Sequence, residues 1–260
     1  MGMRAKSNYC VYHGSWIIKR EKKGMRLPQD SKIEDIEIGS HQRCHIMMAL
    51  LTLGMIPVEV FVGFGRMQMP INGQVFQHII KGMEVGHGRN QAVQFIMNMP
   101  KEERPKWLFF LGDDMIPPWD GLVKLYETAE YEKWDALTGM YFWKGEPPTP
   151  LIWRDDHIGR LIPGKHFNVG EVIDVDLTGL DFTLIRTSLL EKMESPWFKT
   201  GPSKRADVPK AISKYSDPTS IICHTEDTWF YGKAKKLGAK IGVHTGVRVA
   251  HLDVKTGCIY

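Results

Sequence analysis

Five consecutive apolar residues, Trp107-Leu108-Phe109-Phe110-Leu111, break at Gly112 into two adjacent carboxylates, Asp113 and Asp114, and then, past Met115 and Ile116, into Pro117-Pro118. A run that is apolar at every position, with no alternation, is the pattern of a strand buried on both faces of a helix-covered sheet. Pro117 and Pro118 bar the strand from continuing and suit the first turn of a helix, with Leu122, Val123, Leu125, Tyr126 and Ala129 as its inward stripe. The acids then stand at a sheet's carboxyl end, in the crevice where open α/β sheets bind ligands. Paired carboxylates without a basic neighbour there require a cation or a ligand proton to compensate them.

The flanking sequence repeats the same grammar. Ile46 to Thr52 predicts a first core strand, Pro57 to Met69 a helix with Val58, Phe61, Val62 and Phe64 inward, and Gln74 to Lys81 a second strand. Ala92, Val93, Phe95, Ile96 and Met99 give the next helical stripe, placing Arg89 and Asn90 at its start, and Pro100 closes it. Strand and helix alternate three times, which implies a mainly parallel sheet with right-handed crossovers. Further strands are expected at 135–140, 171–176, 179–185, 240–243 and 247–250, with an aromatic, proline-rich loop or irregular edge over 141–154. Thr187 to Met193 suits a short helix, and Thr225 can N-cap another with Phe230, Ala234 and Leu237 inward and Gly238 at its end. Residues 199–214, with five bases, one acid and two prolines, are the segment best suited to a mobile loop.

The 260 residues divide into a basic extension, 1–40, and an α/β domain, 41–260. Residues 1–26 hold seven Lys/Arg against Glu21 alone, a net of +6 in a chain of +4, so the rest is slightly acidic. Such an arm is suited to nucleic acid, an anionic membrane face or an acidic partner, or is a solvated tail. A short hairpin around His13-Gly14 is expected within it. Cys10-x-x-His13 and His41-x-x-Cys44 have the residue types of a zinc site, against the plainer reading of structural residues beside a strand. Four scattered cysteines exclude a disulfide framework, and no apolar run reaches the ~18 residues that span a bilayer. A cytoplasmic location is expected.

Four clusters fall where strands end or helices begin: Arg89-Asn90, Asp113-Asp114, Glu226-Asp227 and His251. Each has a plain reading, since acids at a helix start complement its dipole, a lone His is commonly structural and Arg89 suits a salt bridge. Trp143, Trp153, Trp197 and Trp229 flank these clusters and suit either a stacking platform for sugars or core, about half of them each way.

Taken in order, Gly88-Arg89-Asn90-Gln91-Ala92-Val93, Phe109 to Pro118 with its Gly112-Asp113-Asp114, Thr178-Gly179-Leu180-Asp181 to Arg186, Ser195 to Phe198, Thr225-Glu226-Asp227 to Phe230 and Val249-Ala250-His251 resemble the nucleotide-sugar-dependent glycosyltransferases of the GT-A fold, in particular family-2-like enzymes of bacteria and phages. The resemblance runs from about His45 to Asp253. It implies that Asp114 and His251 hold Mn²⁺ or Mg²⁺ against the donor diphosphate. It implies that Asp113 contacts the donor and that Gly179 and Asp181 pass beneath its sugar; Arg89 and Asn90, at a helix start, can face the diphosphate, and the basic loop can close over the donor. Asp227 is the implied general base, with Glu226 as a supporting acceptor contact. The departure is Gly112, which stands where the first acid of the family's Asp-x-Asp motif belongs.

The expected activity is therefore metal-dependent transfer of a sugar, from a UDP-sugar by preference, to an acceptor hydroxyl. The acceptor is open between a hydroxylated base in phage DNA, which would place the protein in the host cytoplasm, and a glycan or protein. A nucleotide-sugar-binding module with impaired turnover is the alternative, and a nucleotidyltransferase is the next.

Overall fold

The computed structural model describes residues 10–12, 15–17, 44–71, 74–155, 161–163, 167–204 and 221–260. Contacts divide the chain into two units, Met1–Ser40 and His41–Tyr260. In the first, β1 (Cys10–Tyr12) pairs antiparallel with β2 (Ser15–Ile17), the hairpin expected there. His13, His41 and the basic residues of 1–26 lie outside the described residues, as do 205–214 of the basic loop, whose residues 201–204 form a strand.

The second unit runs β3 (Cys44–Thr52), α1 (Val58–Arg66), β4 (Gln74–Lys81), α2 (Val85–Met97), β5 (Trp107–Gly112), β6 (Met115–Ile116) and α3 (Gly121–Glu132). It continues with β7 (Ala136–Met140), β8 (Ile152–Asp155), β9 (Leu161–Pro163), β10 (Val172–Asp174), β11 (Leu177–Thr178), β12 (Phe182–Arg186) and α4 (Thr187–Lys192). It ends with β13 (Gly201–Lys204), β14 (Ile221–His224), α5 (Glu226–Lys236), β15 (Ile241–Arg248) and β16 (Ala250–His251). Seven strands form the central sheet in the order β10-β15-β7-β12-β5-β3-β4. β3, β4, β5, β7 and β15 point one way, and β12 and β10 oppose them. This is the expected α/β class, a Rossmann-like, mostly parallel sheet flanked by helices.

Every residue of β5 is buried. Leu108 and Phe110 face one core with Met47, Ala49, Val93 and Ile96, while Trp107, Phe109 and Leu111 face the other with Ile46, Met48, Leu122 and Leu125. The period of two thus feeds two cores at once, which is why no polar residue interrupts the run. Among the described residues no helix is long and apolar enough to cross a membrane.

Several elements differ from expectation for local reasons. α1 turns Val60 and Gly63 inward, while Val58 and Phe61 are 66% and 64% exposed. A Cβ at Gly63 would lie 3.0 Å from Ile116 and Pro117, so the helix makes its close approach at a glycine, and a stripe drawn through large side chains misses that face. α3 begins at Gly121 rather than at Pro117, because Met115 and Ile116 pair with His251 and Ala250 before the prolines carry the chain onward. The last strands divide differently from expectation: Ile241–Arg248 is continuous, with a register shift after His244, and Ala250–His251 is a separate short strand. Within 141–154, Ile152–Asp155 forms a strand of a separate three-stranded sheet, β11-β8-β9.

Candidate functional site

Strand direction decides what meets. β5, β7 and β15 deliver Asp114, Lys144 and His251 from their carboxyl ends, and β12, running the other way, begins just after Asp181 at that same end. The carboxyl ends of parallel strands are where this fold class gathers its ligand-binding residues.

Asp114 Oδ2 accepts a hydrogen bond from Lys144 Nζ at 2.5 Å and lies 3.3 Å from His251 Nε2. His251 Nδ1 is 2.8 Å from the Phe142 carbonyl oxygen, which can only accept, so Nδ1 carries a proton and the ring is fixed with Nε2 toward Asp114. Burial raises the Asp114 carboxyl, but hydrogen bonds from His251 and Lys144 outweigh it and hold it below the usual carboxylate range.

Gly112 is explained by its neighbour. Its N–H donates to the Asp181 carbonyl at 2.9 Å, and a Cβ there would stand 3.0 Å from Asp181 Cβ and 3.2 Å from both Asp181 Cγ and Asp114 Oδ1. The Asp181 side chain thus fills the space of a side chain at 112 and sits beside Asp114. Gly112→Asp is accordingly expected to destabilise the fold by about 1–3 kcal/mol, read by urea denaturation, with partial recovery when Asp181→Gly is added. A single variant as stable as the natural chain would show that the start of β12 yields. Gly179 has a similar explanation: any Cβ there would collide with the Tyr141 ring, 2.7 Å from Cζ, and the Tyr141 hydroxyl accepts from Asp181 N–H at 3.1 Å. Gly179 therefore admits the tyrosine that positions Asp181.

Arg89 is the second hub. It lies inside α2, which starts at Val85 with Glu84 as N-cap, so its backbone is within the helix rather than at the free end. Its guanidinium is 1% exposed and donates to Asp181 at 2.5 Å, Glu226 at 2.7 Å and Asp227 at 2.8 Å. Among the described residues its Nε is a buried polar atom without a partner. Desolvation lowers the Arg89 pKa, but the three carboxylates more than reverse this and keep it protonated. One cation cannot balance three acids gathered around it, one buried and two partly buried. Burial and the neighbouring Glu226 and Asp181 push Asp227 up to about 8 despite Arg89, and burial likewise raises Asp181.

Asp227 and Asp181 line a cavity of about 430 Å³ together with Lys144, His251, Tyr141, Trp143, Trp153, Thr178, Gly179, Thr225 and Thr228. The volume is within the range of small-molecule sites. Glu226 is not among the residues lining it and bonds Arg89 and the Thr200 hydroxyl. Asn90 also differs from expectation: its amide donates to the carbonyls of Gly86 and Phe198 and accepts from the N–H groups of Trp197 and Phe198, a splice between α2 and the 195–198 segment. Asp113 sits half-buried on the turn after β5, apart from the cavity wall. Trp143 and Trp153 line the cavity, whereas Trp197 is core at 7% exposure and Trp229 stacks on His224. Lys144 and Tyr141 escape a reading by motif, although a lone base among Tyr141-Phe142-Trp143, just past a strand's carboxyl end, is a signal of a site residue.

No family model and no curated protein matches the chain. Among solved structures, A197 from STIV aligns with a TM-score of 0.54 and 16% identity over 83% of this chain and 92% of that one. Two structures of S. aureus TarS 1-349, one in complex with UDP-GlcNAc, align with TM-scores of 0.43 and 0.42 and identities of 13% and 14%. They cover 78% of this chain and 57% and 59% of theirs. At such identity the likeness to A197 concerns the fold alone.

The Mn²⁺ or Mg²⁺ that the sequence resemblance implies can be set against these residues. Asp114 and His251 do meet, but the carboxylate already carries an ammonium, and a side chain at Gly112 would crowd Asp181. Among the described residues no three His, Cys, Asp or Glu side chains are grouped so as to hold a metal ion. One paired carboxylate and one imidazole do not fit an ion that takes about six ligands, mostly oxygen.

Proposed function

We propose that the chain is a glycosyltransferase of GT-A type, moving a sugar from a nucleoside diphosphate, UDP by preference, to an acceptor hydroxyl. The observation that carries this reading is a single cavity with two kinds of group in its wall. Asp227, a carboxyl raised to about 8, is one part, and Lys144 and His251, the residues that meet at Asp114, are the other. Sugar transfer needs both parts: a base that takes the acceptor's proton as its oxygen attacks the anomeric carbon, and positive charge for the departing diphosphate. Trp143 and Trp153 supply aromatic faces for a sugar between them. The acceptor is a hydroxyl of a glycan or of a hydroxylated base in DNA, and the basic residues of 1–26 favour an anionic polymer.

A thermal-shift screen with UDP-, GDP- and dTDP-sugars, followed by assay of nucleoside diphosphate release, tests the reading. Stabilisation by one sugar nucleotide with release of its diphosphate is expected. Stabilisation without release under any acceptor would favour a binding module, and no response to any of them would sink the proposal.

A further inference from the structure

We propose that Lys144 is the cation of the donor site: its ammonium, seated on Asp114, binds the diphosphate in place of a divalent metal. This rests on the donor reading above, and its starting point is the misfit between the residues present and a metal ion. Lys144 Nζ bonds Asp114 Oδ2, the same carboxylate oxygen that His251 Nε2 approaches and that a metal held by the two would need. Among the described residues lining the cavity it is the one Lys or Arg. Arg89 is unavailable, being buried and bonded to three carboxylates.

The lysine is built in rather than draped. The chain leaving β7 folds back on itself through Trp143 N–H to Thr149 O at 2.8 Å and Leu151 N–H to Tyr141 O at 3.0 Å. Gly145 lets the Trp143 indole lie against the backbone, where a Cβ would be 2.9 Å from Cδ1. The same segment offers the Phe142 carbonyl that orients His251, so ammonium and imidazole are set by one loop. An ammonium has three N–H donors, of which Asp114 takes one. Two remain for phosphate oxygens, and Lys144, 28% exposed, can present them to the cavity.

In the transfer step the bond between the anomeric carbon and the diphosphate oxygen breaks and its electron pair leaves on that oxygen. Lys144 stays protonated and donates to the diphosphate, the acceptor oxygen forms the new bond, and the acceptor's proton passes to Asp227. The plain alternative is a partly exposed ion pair worth about 0–1 kcal/mol, with no part in binding.

The two separate in a calorimetric titration of the full chain with UDP and GDP, in EDTA and in Mn²⁺. One nucleotide should bind equally well in both buffers. Lys144→Gln should weaken binding in EDTA by at least about tenfold, the loss of a charge-assisted contact, while Lys144→Arg retains most of it. Mn²⁺ should partly rescue Lys144→Gln, since Asp114 and His251 are then free to take it. An unchanged melting temperature for Lys144→Gln serves as the folding control. Binding by the natural chain only in Mn²⁺, or an affinity indifferent to Lys144→Gln, overturns the proposal and leaves the donor reading standing. Failure of both nucleotides in both buffers overturns the two together.

Discussion

Asp227→Asn is expected to lower transfer by about 10²–10⁴-fold while leaving nucleoside diphosphate affinity within about threefold, because it removes a proton acceptor and keeps the shape. The amide oxygen can still accept from Arg89, which holds Asp227 at 2.8 Å. The pH dependence gives a sharper readout. With the carboxyl pushed up to about 8, the basic form is the minority at neutral pH, so kcat/KM should rise through pH 7 and level off above about 8. A rise centred near 4, or an Asn variant that keeps its rate, would remove Asp227 from the role of base. The same shift acts on stability. The folded pKa lies above the unfolded one, so the protonated group favours folding below pH ~4, and that contribution is lost as pH climbs toward 8. Asp227→Asn should therefore flatten the fall of melting temperature between those limits. A base tuned in this way is held at the expense of the fold, as buried functional acids commonly are.

What could be read in the sequence divides by the range of the interaction. The uninterrupted run Trp107–Leu111 announced a strand buried on both sides, and Gln74–Lys81 and the Thr225 cap are found where the local pattern put them. These depend on side-chain period and a hydroxyl three residues from an N–H, both written in contiguous residues. The inward face of α1 is not legible because a glycine, invisible to an apolar count, sets its close approach. Which acid meets which base was not legible, because it depends on the order of strands. Asp181 reaches Gly112 and Arg89 only because β12 runs antiparallel beside β5. Lys144 is illegible for the same reason: nothing within several residues of it suggests Asp114, thirty positions earlier in the chain. Arg89, expected to face a diphosphate, instead faces three acids contributed by β12's leading edge and α5.

That arrangement makes Arg89 the position where a single substitution should harm the fold most. Arg89→Met keeps the bulk and the helix propensity of α2 but leaves Asp181, Glu226 and Asp227 turned toward one another without a counter-charge. Breaking a buried pair from one side costs about 3–5 kcal/mol, because the remaining charge is desolvated and unpaired. Glu226, only 10% exposed, is the most severe case, while Asp181 at 34% recovers some solvent screening. Arg89→Lys should fall between, since one ammonium cannot reproduce a planar fork that reaches three carboxylates from two nitrogens. Urea denaturation at pH 7 and pH 5 distinguishes this cause from a packing defect. Protonation of the stranded acids should shrink the Arg89→Met deficit at pH 5, and adding Glu226→Gln should shrink it at pH 7, whereas a cavity would cost the same at both. A deficit below about 1 kcal/mol would mean that the three acids can relax into solvent, and the constraint that raises Asp227 would then have to come from burial alone.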